Sequence, residues 1–353
     1  MSEQRWQARL WQDARAALPD HVWRFVTAGA RDEISLQESL EAWSHVRLYP
    51  RVLRDVRRPD AATALLGLPV PSPVAIAPTS MQRLAHPGGE LAMAQAAAEA
   101  GSLVVVSSNA GTRFEELGTT GAAWWLQAYA TADRSLVAPV FEEAARAGAR
   151  AIVLTVDTPV PGTKYDIDEA AFGDLTEVYG LNHPQVVRGR TPGAEHAQDL
   201  TAADIAWLHD LTGLPIVVKG VLRADDAQRC VEAGAAGVWV SNHGGRQLDR
   251  SVSTCAALPA VGAAVSGQAE VYVDGGIRSG LDVLTALALG ADGVFCGRTP
   301  YLALAAGGAE RVVEMLDLLH DELLDALRMS GCARLQDARG LASSGTPEPP
   351  TGL

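Results

Sequence analysis

The chain has 353 residues, 48% of them hydrophobic and 20% charged, with a formal net charge of −13. That is enough to bury a large core and to build one barrel of roughly 250 residues with extensions. The acidic balance excludes a general nucleic-acid binder, although a few local arginines can still make one pocket positive. No window approaches about 18 uninterrupted apolar residues, so no membrane-spanning helix is expected.

The N-terminal stretch MSEQRWQARLWQDARAALP is charged and amphipathic and lacks the apolar core of a signal peptide. To about Val56 the pattern is helical, with Val22, Phe25 and Val26 on an apolar face that runs into Gly29. From about Val74 the rhythm changes: short β-branched runs alternate with Ala-rich amphipathic stretches, the signature of repeated βα units. Strands are predicted at Val74–Ala77, Leu103–Val106, Trp124–Ala128, Ala151–Val156, Ile216–Lys219, Gly237–Ser241, Val271–Asp274 and Gly293–Cys296. Helices between them include Glu90–Ala100, Ser135–Ala147, Ala224–Ala233 and Leu281–Leu289. Glycines 101, 148, 234 and 290 follow these helices as left-handed caps.

Eight such units predict an α/β fold of the TIM (β/α)8 barrel type. A doubly wound sheet is the alternative, but its Gly-rich fingerprint is missing after the first strand, which leads into Ala77-Pro78-Thr79-Ser80. Residues 1–340 read as one domain: an N-terminal helical segment, a barrel from about 74, and an irregular, lid-like insert at about 163–200 after the fourth strand. Residues 341–353 read as a disordered tail. The four cysteines, Cys230, Cys255, Cys296 and Cys332, lack metal-ligand spacing, so reduced thiols, a cytoplasmic location and no metal are expected.

Catalytic groups of such a barrel sit where strands end. Here every strand delivers a polar group to one rim: Thr79 and Ser80; Ser107; Gln127 and Tyr129; Thr155 and Asp157; Lys219; Ser241 to Arg246; Asp274 with Arg278; Gly297 and Arg298. The last two strand ends predict a phosphate site. Gly275, Gly276 and Gly297 allow close backbone approach, Arg278 and Arg298 add charge, and Thr299-Pro300 reads as a helix start with Thr299 as cap and Pro300 in the first turn. Ordinary tight turns are the plainer explanation, weakened because two adjacent strands each bring an arginine. His243 lies three residues before Arg246; Asp157 could orient the imidazole, and Arg246 offers a planar fork for a carboxylate. A base beside a carboxylate clamp is what proton abstraction from a 2-hydroxy acid requires. Lys219 on an apolar strand needs an anionic partner, which is either a reduced flavin or a nearby carboxylate.

The stretch SNHGGRQLD (Ser241–Asp249) resembles the active-site signature of the FMN-dependent 2-hydroxy acid oxidases and dehydrogenases. That group includes glycolate oxidase, lactate oxidase, mandelate dehydrogenase and 4-hydroxymandelate oxidase. The resemblance extends to APTSMQRLAHPGGE (Ala77–Glu90), LQAY (Leu126–Tyr129), LTVDTP (Leu154–Pro159), VVKGV (Val217–Val221), DGGIRSGLDVLTALALGADGVFCGR (Asp274–Arg298) and SGCARL (Ser330–Leu335), and spans about Leu18 to Leu335. It implies FMN as cofactor, with His243 as the base, Asp157 supporting it, Arg246 on the substrate carboxylate and Tyr129 beside the substrate oxygen. It implies Lys219 on reduced FMN, with Thr79, Ser80, Ser107, Gln127, Thr155 and Ser241 on the cofactor side. Asp274 would hold the ribityl chain, and Gly276, Arg278, Gly297 and Arg298 the phosphate. Tetramers or octamers are the assemblies the resemblance implies.

Three positions depart from the family pattern. A tyrosine of the N-terminal helix is replaced by Phe25, the Gly-Arg-Arg segment becomes Gly162-Thr163-Lys164, and a bulky residue after the two serines becomes Asn109. The insert is also shorter than in several relatives. All three changes fall on the substrate side, which implies retained flavin chemistry and a shifted, larger 2-hydroxy acid. Oxygen is the expected electron acceptor, with Ser80 beside the flavin tuning its access. The alternatives are a quinone or protein acceptor, oxidative decarboxylation, a flavin-binding protein without hydroxy-acid oxidation, and a flavin-free phosphate-binding isomerase.

Overall fold

A computed structural model describes residues 5–342 other than 166, 168, 173–174, 176–177, 179 and 184–190. Three helices come first: α1 (Trp6–Ala17), α2 (Asp20–Thr27) and α3 (Ile34–His45). A short antiparallel hairpin follows, β1 (Thr63–Leu65) and β2 (Leu68–Val70), turning through Leu66 and Gly67, both with positive φ. The sequence pattern did not announce it, because each strand has only three residues.

The barrel strands are β3 (Val74–Ile76), β4 (Leu103–Ser107), β5 (Ala123–Ala128), β6 (Ile152–Thr155), β7 (Ile216–Val221), β8 (Gly237–Val240), β9 (Glu270–Val273) and β10 (Gly293–Cys296). They are all parallel and close in the order β10-β3-β4-β5-β6-β7-β8-β9. The predicted strands therefore stand to within a residue or two. The four predicted helices are α4 (Gly89–Glu99), α6 (Ala138–Arg146), α8 (Ala224–Glu232) and α10 (Gly280–Ala288). Glycines 101, 148, 234 and 290 all take positive φ as expected of caps. Further helices are α5 (Phe114–Gly118), α7 (Ala203–Thr212), α9 (Thr254–Val265) and α11 (Arg298–Met329), the last broken at Gly307–Gly308.

Strand side chains alternate with a period of two. One parity, for example Val104, Leu126, Ile152, Val218 and Val240, packs outward against the helices. The other parity fills the barrel with Leu103, Val105, Trp125, Val153, Val217, Trp239, Tyr272 and Phe295, closed below by Leu65 of the hairpin. The Trp239 and Phe295 rings lie 3.9 Å apart, and Trp125 packs on Tyr272 at 5.6 Å. Gly237 and Gly293 are fixed by this plug, since a Cβ would meet the Tyr272 ring or Leu65 at 2.9 and 2.7 Å. Removing one such aromatic ring costs about 3–5 kcal/mol. The interior is thus solid below, and the inward parity emerges as polar groups only at the upper rim.

Three expectations change. Lys219 is not a strand end: β7 runs on to Val221 across a register shift at Gly220. Thr299 does not cap a helix: α11 begins at Arg298 with Gly297 before it, and Thr299 is buried within the first turn. The proposed tail begins too early, because Leu341 is buried and Ala342 pairs with Leu48. Residues 343–353 of that tail, and the insert positions named above, lie outside the described residues.

Candidate active site

The inward parity that builds the plug continues upward through Thr79, Ser107, Gln127, Tyr129, Thr155, Lys219 and Gly297, all of which line one cavity at the C-terminal rim. It holds about 1250 Å3 of free space including its open mouth. Ser80, Asp274, Gly276 and Arg278 line it from the loops after their strands, as do His243 and Arg246, and Arg298 lines it from the first residue of α11. Phe25 from α2 and Lys164 from the insert complete the wall. Two predicted residues lie one layer behind: Ser241 beneath Lys219, and Asp157 behind His243.

Buried hydrogen bonds order the strand side of the cavity. Ser107 Oγ donates to Gln127 Oε1 at 3.1 Å, and Gln127 Nε2 donates to Thr155 Oγ1 at 3.0 Å. Lys219 Nζ donates to Ser241 Oγ at 2.9 Å and lies 3.3 Å from Asp274 Oδ2, while Ser241 Oγ donates to Asp274 Oδ1 at 2.7 Å. Of the two anions considered for Lys219, the protein itself supplies the carboxylate.

His243 sits in a tight turn with φ of 58°, followed by Gly244 and Gly245 at 64° and 74°. Its backbone N–H donates to Ser241 Oγ at 3.0 Å, and its Nδ1 lies 2.9 Å from Asp157 Oδ1. The carboxylate requires the proton on Nδ1. His243 lines the cavity, and its Nε2 has no hydrogen bond among the described residues. Burial works to raise the pKa of Asp157, but the charge and hydrogen bond of His243, helped by Lys219 and Thr158, outweigh it and hold the carboxyl at about 2. Gly220 makes the pair possible, because a Cβ there would lie 2.6 Å from Asp157 Cβ.

The three arginines have no carboxylate partner among the described residues. Arg246 Nη1 donates to the carbonyls of Phe25 and Ala28 at 2.7 and 2.8 Å. Arg298 donates to the carbonyls of Val26, Gly244 and Ala28 at 3.1, 2.9 and 3.1 Å, and Arg278 Nη1 to that of Ile277 at 3.0 Å. Burial pulls the Arg246 pKa down to about 10, opposed by Tyr129, Tyr301 and Glu33. Burial also lowers Arg298 well below its usual value, with repulsion from Arg246 and Arg278 adding to it. Guanidinium groups do not deprotonate readily, so this cluster is a demand for anions.

Gly276 and Gly297 answer to different constraints. At Gly276 a Cβ would lie 1.7 Å from the Ser39 carbonyl oxygen, so packing against α3 by itself already requires the glycine. At Gly297 a Cβ would meet only Thr79 and Ala77 carbons at 3.7 and 3.8 Å, and φ is −104°. Neither packing nor conformation demands glycine there, which leaves its open face for a ligand. A phosphate fits the charge of Arg278 and Arg298, and a flavin ring fits the donor–acceptor chain of Ser107, Gln127 and Thr155 with the Lys219 ammonium.

Asn109 is not brought to the cavity wall. Its Oδ1 lies 3.0 Å from His183 Nε2, tying the β4 loop to the insert. Four residues that pattern reasoning passed over belong to the site. Gln247 and Tyr301 line the cavity, Thr158 donates to Asp157 Oδ1 at 3.0 Å, and His196 stacks on Tyr129. Gln247 and Thr158 each adjoin a predicted site residue and could have been found that way. Nothing local marks Tyr301 or His196.

A parallel barrel with an anion-seeking rim, a histidine–carboxylate pair and a flavin-compatible donor chain defines a class of cofactor-dependent oxidoreductases. The profile of the FMN-dependent dehydrogenase family matches residues 14–342. The chain is 42% identical over 336 residues to glycolate oxidase 3 of Arabidopsis thaliana, covering 92% of this chain and 91% of that protein. It is 41% identical over 343 residues to an L-lactate oxidase of a Nostoc species, covering 92% and 94%. Among solved structures, mandelate oxidase superposes with a TM-score of 0.89 at 39% identity, covering 95% of this chain and 96% of the other. The chain belongs to the FMN-dependent dehydrogenase family, and its cofactor is FMN.

Proposed function

We propose that the protein oxidises a 2-hydroxy acid to the 2-oxo acid, with oxygen as the electron acceptor. The observation that carries this is His243, held at Nδ1 by Asp157 and lining the same cavity as Arg246, a guanidinium with no carboxylate partner among the described residues. Arg246 exchanges backbone carbonyls for the substrate carboxylate, a stronger charge-assisted acceptor. His243 Nε2 takes the hydroxyl proton, and Asp157 stabilises the imidazolium that results. Tyr129 lies beside the substrate oxygen. FMN, when bound, would supply the hydride acceptor for the α-carbon. Arg278, Arg298, Gly276 and Gly297 would hold its phosphate, Asp274 the ribityl chain, and Thr79, Ser80, Ser107, Gln127, Thr155, Ser241 and Lys219 the ring side.

Oxygen as acceptor is supported by the relatives, which are named oxidases. The substrate is larger than glycolate or lactate, because Phe25 lacks the hydroxyl expected there and Lys164 lacks a bidentate fork. The chain through residue 342 acts as one FMN-binding unit that assembles as a tetramer or octamer. No described helix is long and apolar enough to cross a membrane, and we place the protein in the cytoplasm, although one relative is named a peroxisomal (S)-2-hydroxyacid oxidase.

An anaerobic absorbance titration of the holoprotein with a panel of 2-hydroxy acids, followed by air, tests this. Bleaching by a larger acid with rapid return of the yellow colour is expected. Slow return in air overturns the oxygen assignment, and best activity on glycolate or lactate overturns the substrate assignment.

A further inference from the structure

Tyr129 leaves β5 pointing into the cavity, and its ring does not stand alone. His196, from the far end of the insert, lies flat against it, with ring centroids 4.6 Å apart and planes 16° from parallel. The imidazole is itself fixed. It is buried, its Nδ1 lies 2.9 Å from the Thr158 carbonyl oxygen, and its backbone pairs with Thr131 on the β5 side. A carbonyl can only accept, so Nδ1 carries a proton and the ring plane is set. Thr158 is held at its other end, where its hydroxyl donates to Asp157 Oδ1 at 3.0 Å and accepts from Gln247 Nε2 at 2.8 Å. One residue therefore joins the shelf under Tyr129 to the carboxylate behind His243.

We infer that His196 is a positioning residue, which sets the plane of Tyr129 and so the direction its phenol presents to the substrate oxygen. A tyrosine has a broad second side-chain torsion, so a group that must meet a substrate atom needs something to stop it rotating. A face-to-face neighbour does this where an edge contact would not. The stack also makes the end of the insert that carries His196 a working part of the site. The inference rests on the hydroxy-acid reading above.

The test is a double-mutant cycle on the holoenzyme with His196→Ala, Tyr129→Phe and the pair, plus His196→Phe. Two quantities are followed: turnover with the best acid of the panel, and dissociation of the matching 2-oxo acid, read from the perturbation of flavin absorbance. His196→Ala should lower turnover about tenfold in the native background and weaken 2-oxo acid binding severalfold, because a small misplacement of a reacting group is costly. Both effects should nearly vanish when residue 129 is already phenylalanine. His196→Phe, which keeps the stacked ring and loses the Thr158 bond, should recover most of the loss. Equal effects of His196→Ala in both backgrounds, or none in either, would overturn the assignment. If no 2-hydroxy acid bleaches the unmodified protein, the functional reading fails instead, and the two failures are distinguishable.

Discussion

The two halves of the cavity rim are built differently. The strand side, with Ser107–Gln127–Thr155 and Lys219–Ser241–Asp274, is tied by side-chain hydrogen bonds between neighbouring barrel strands and is almost wholly buried. The outer side is assembled from parts far apart in the chain: Phe25 of α2, Lys164 and His196 of the insert, and Arg246 bonded to the end of α2. A group on a barrel strand is tied to groups on the neighbouring strands, whereas the outer groups come from segments separate in sequence, helix α2 and the insert. The first half suits a cofactor that stays, and the second a substrate that comes and goes. The departures Phe25 and Lys164 fall in the second.

This division yields predictions of decreasing size. His243→Gln should leave the protein yellow and reduce turnover about 10³–10⁴-fold, the upper range for loss of a general base. Loss of flavin instead would mean that the two halves are not separable. Arg246→Lys should lower kcat/KM about 10²-fold, since a charged fork on a buried carboxylate is replaced by a point charge. It should do so mainly by weakening binding, which a 2-oxo acid titration reads directly.

Asp157 tests the junction between the halves through pH. Its folded pKa of about 2 lies below the ordinary 3.8, so the unfolded chain binds its proton first as pH falls. The stabilisation is fully present above about pH 4 and disappears as pH falls towards 2; the shift is worth about 2 kcal/mol. Denaturant unfolding at pH 7 should show Asp157→Asn less stable by about that amount, with the difference shrinking at pH 3. A difference independent of pH would mean that the His243 contact does not stabilise the charged form. The smallest effect is expected from Phe25→Tyr with Lys164→Arg, which should raise kcat/KM for lactate or glycolate about tenfold by restoring a hydroxyl and a fork. If activity on simple acids is unchanged, these positions do not set specificity.

The same division governs what was legible in the sequence. Strand-borne groups could be read because a period-two pattern fixes which residues point inward, so Ser107, Gln127, Thr155 and Lys219 follow from the strands that carry them. Thr299 is not the cap of α11, which begins one residue earlier, and the packing demand on Gly276 comes from Ser39 on α3, a neighbour distant in sequence. On the outer side nearly every partner is distant. Nothing around Asn109 foretells His183, and nothing around Tyr129 foretells His196, because each contact exists only once the insert has packed on the barrel.

In the proposed reaction, hydride leaves the α-carbon of a 2-hydroxy acid while His243 takes the hydroxyl proton. Anaerobic stopped-flow bleaching of the holoenzyme with the best acid of the panel, unlabelled and deuterated at the α-carbon, tests it most directly. Deuterium should slow the bleaching severalfold, and His243→Gln should abolish it on the same timescale. Bleaching at equal rates with both acids, or undiminished in His243→Gln, would contradict it.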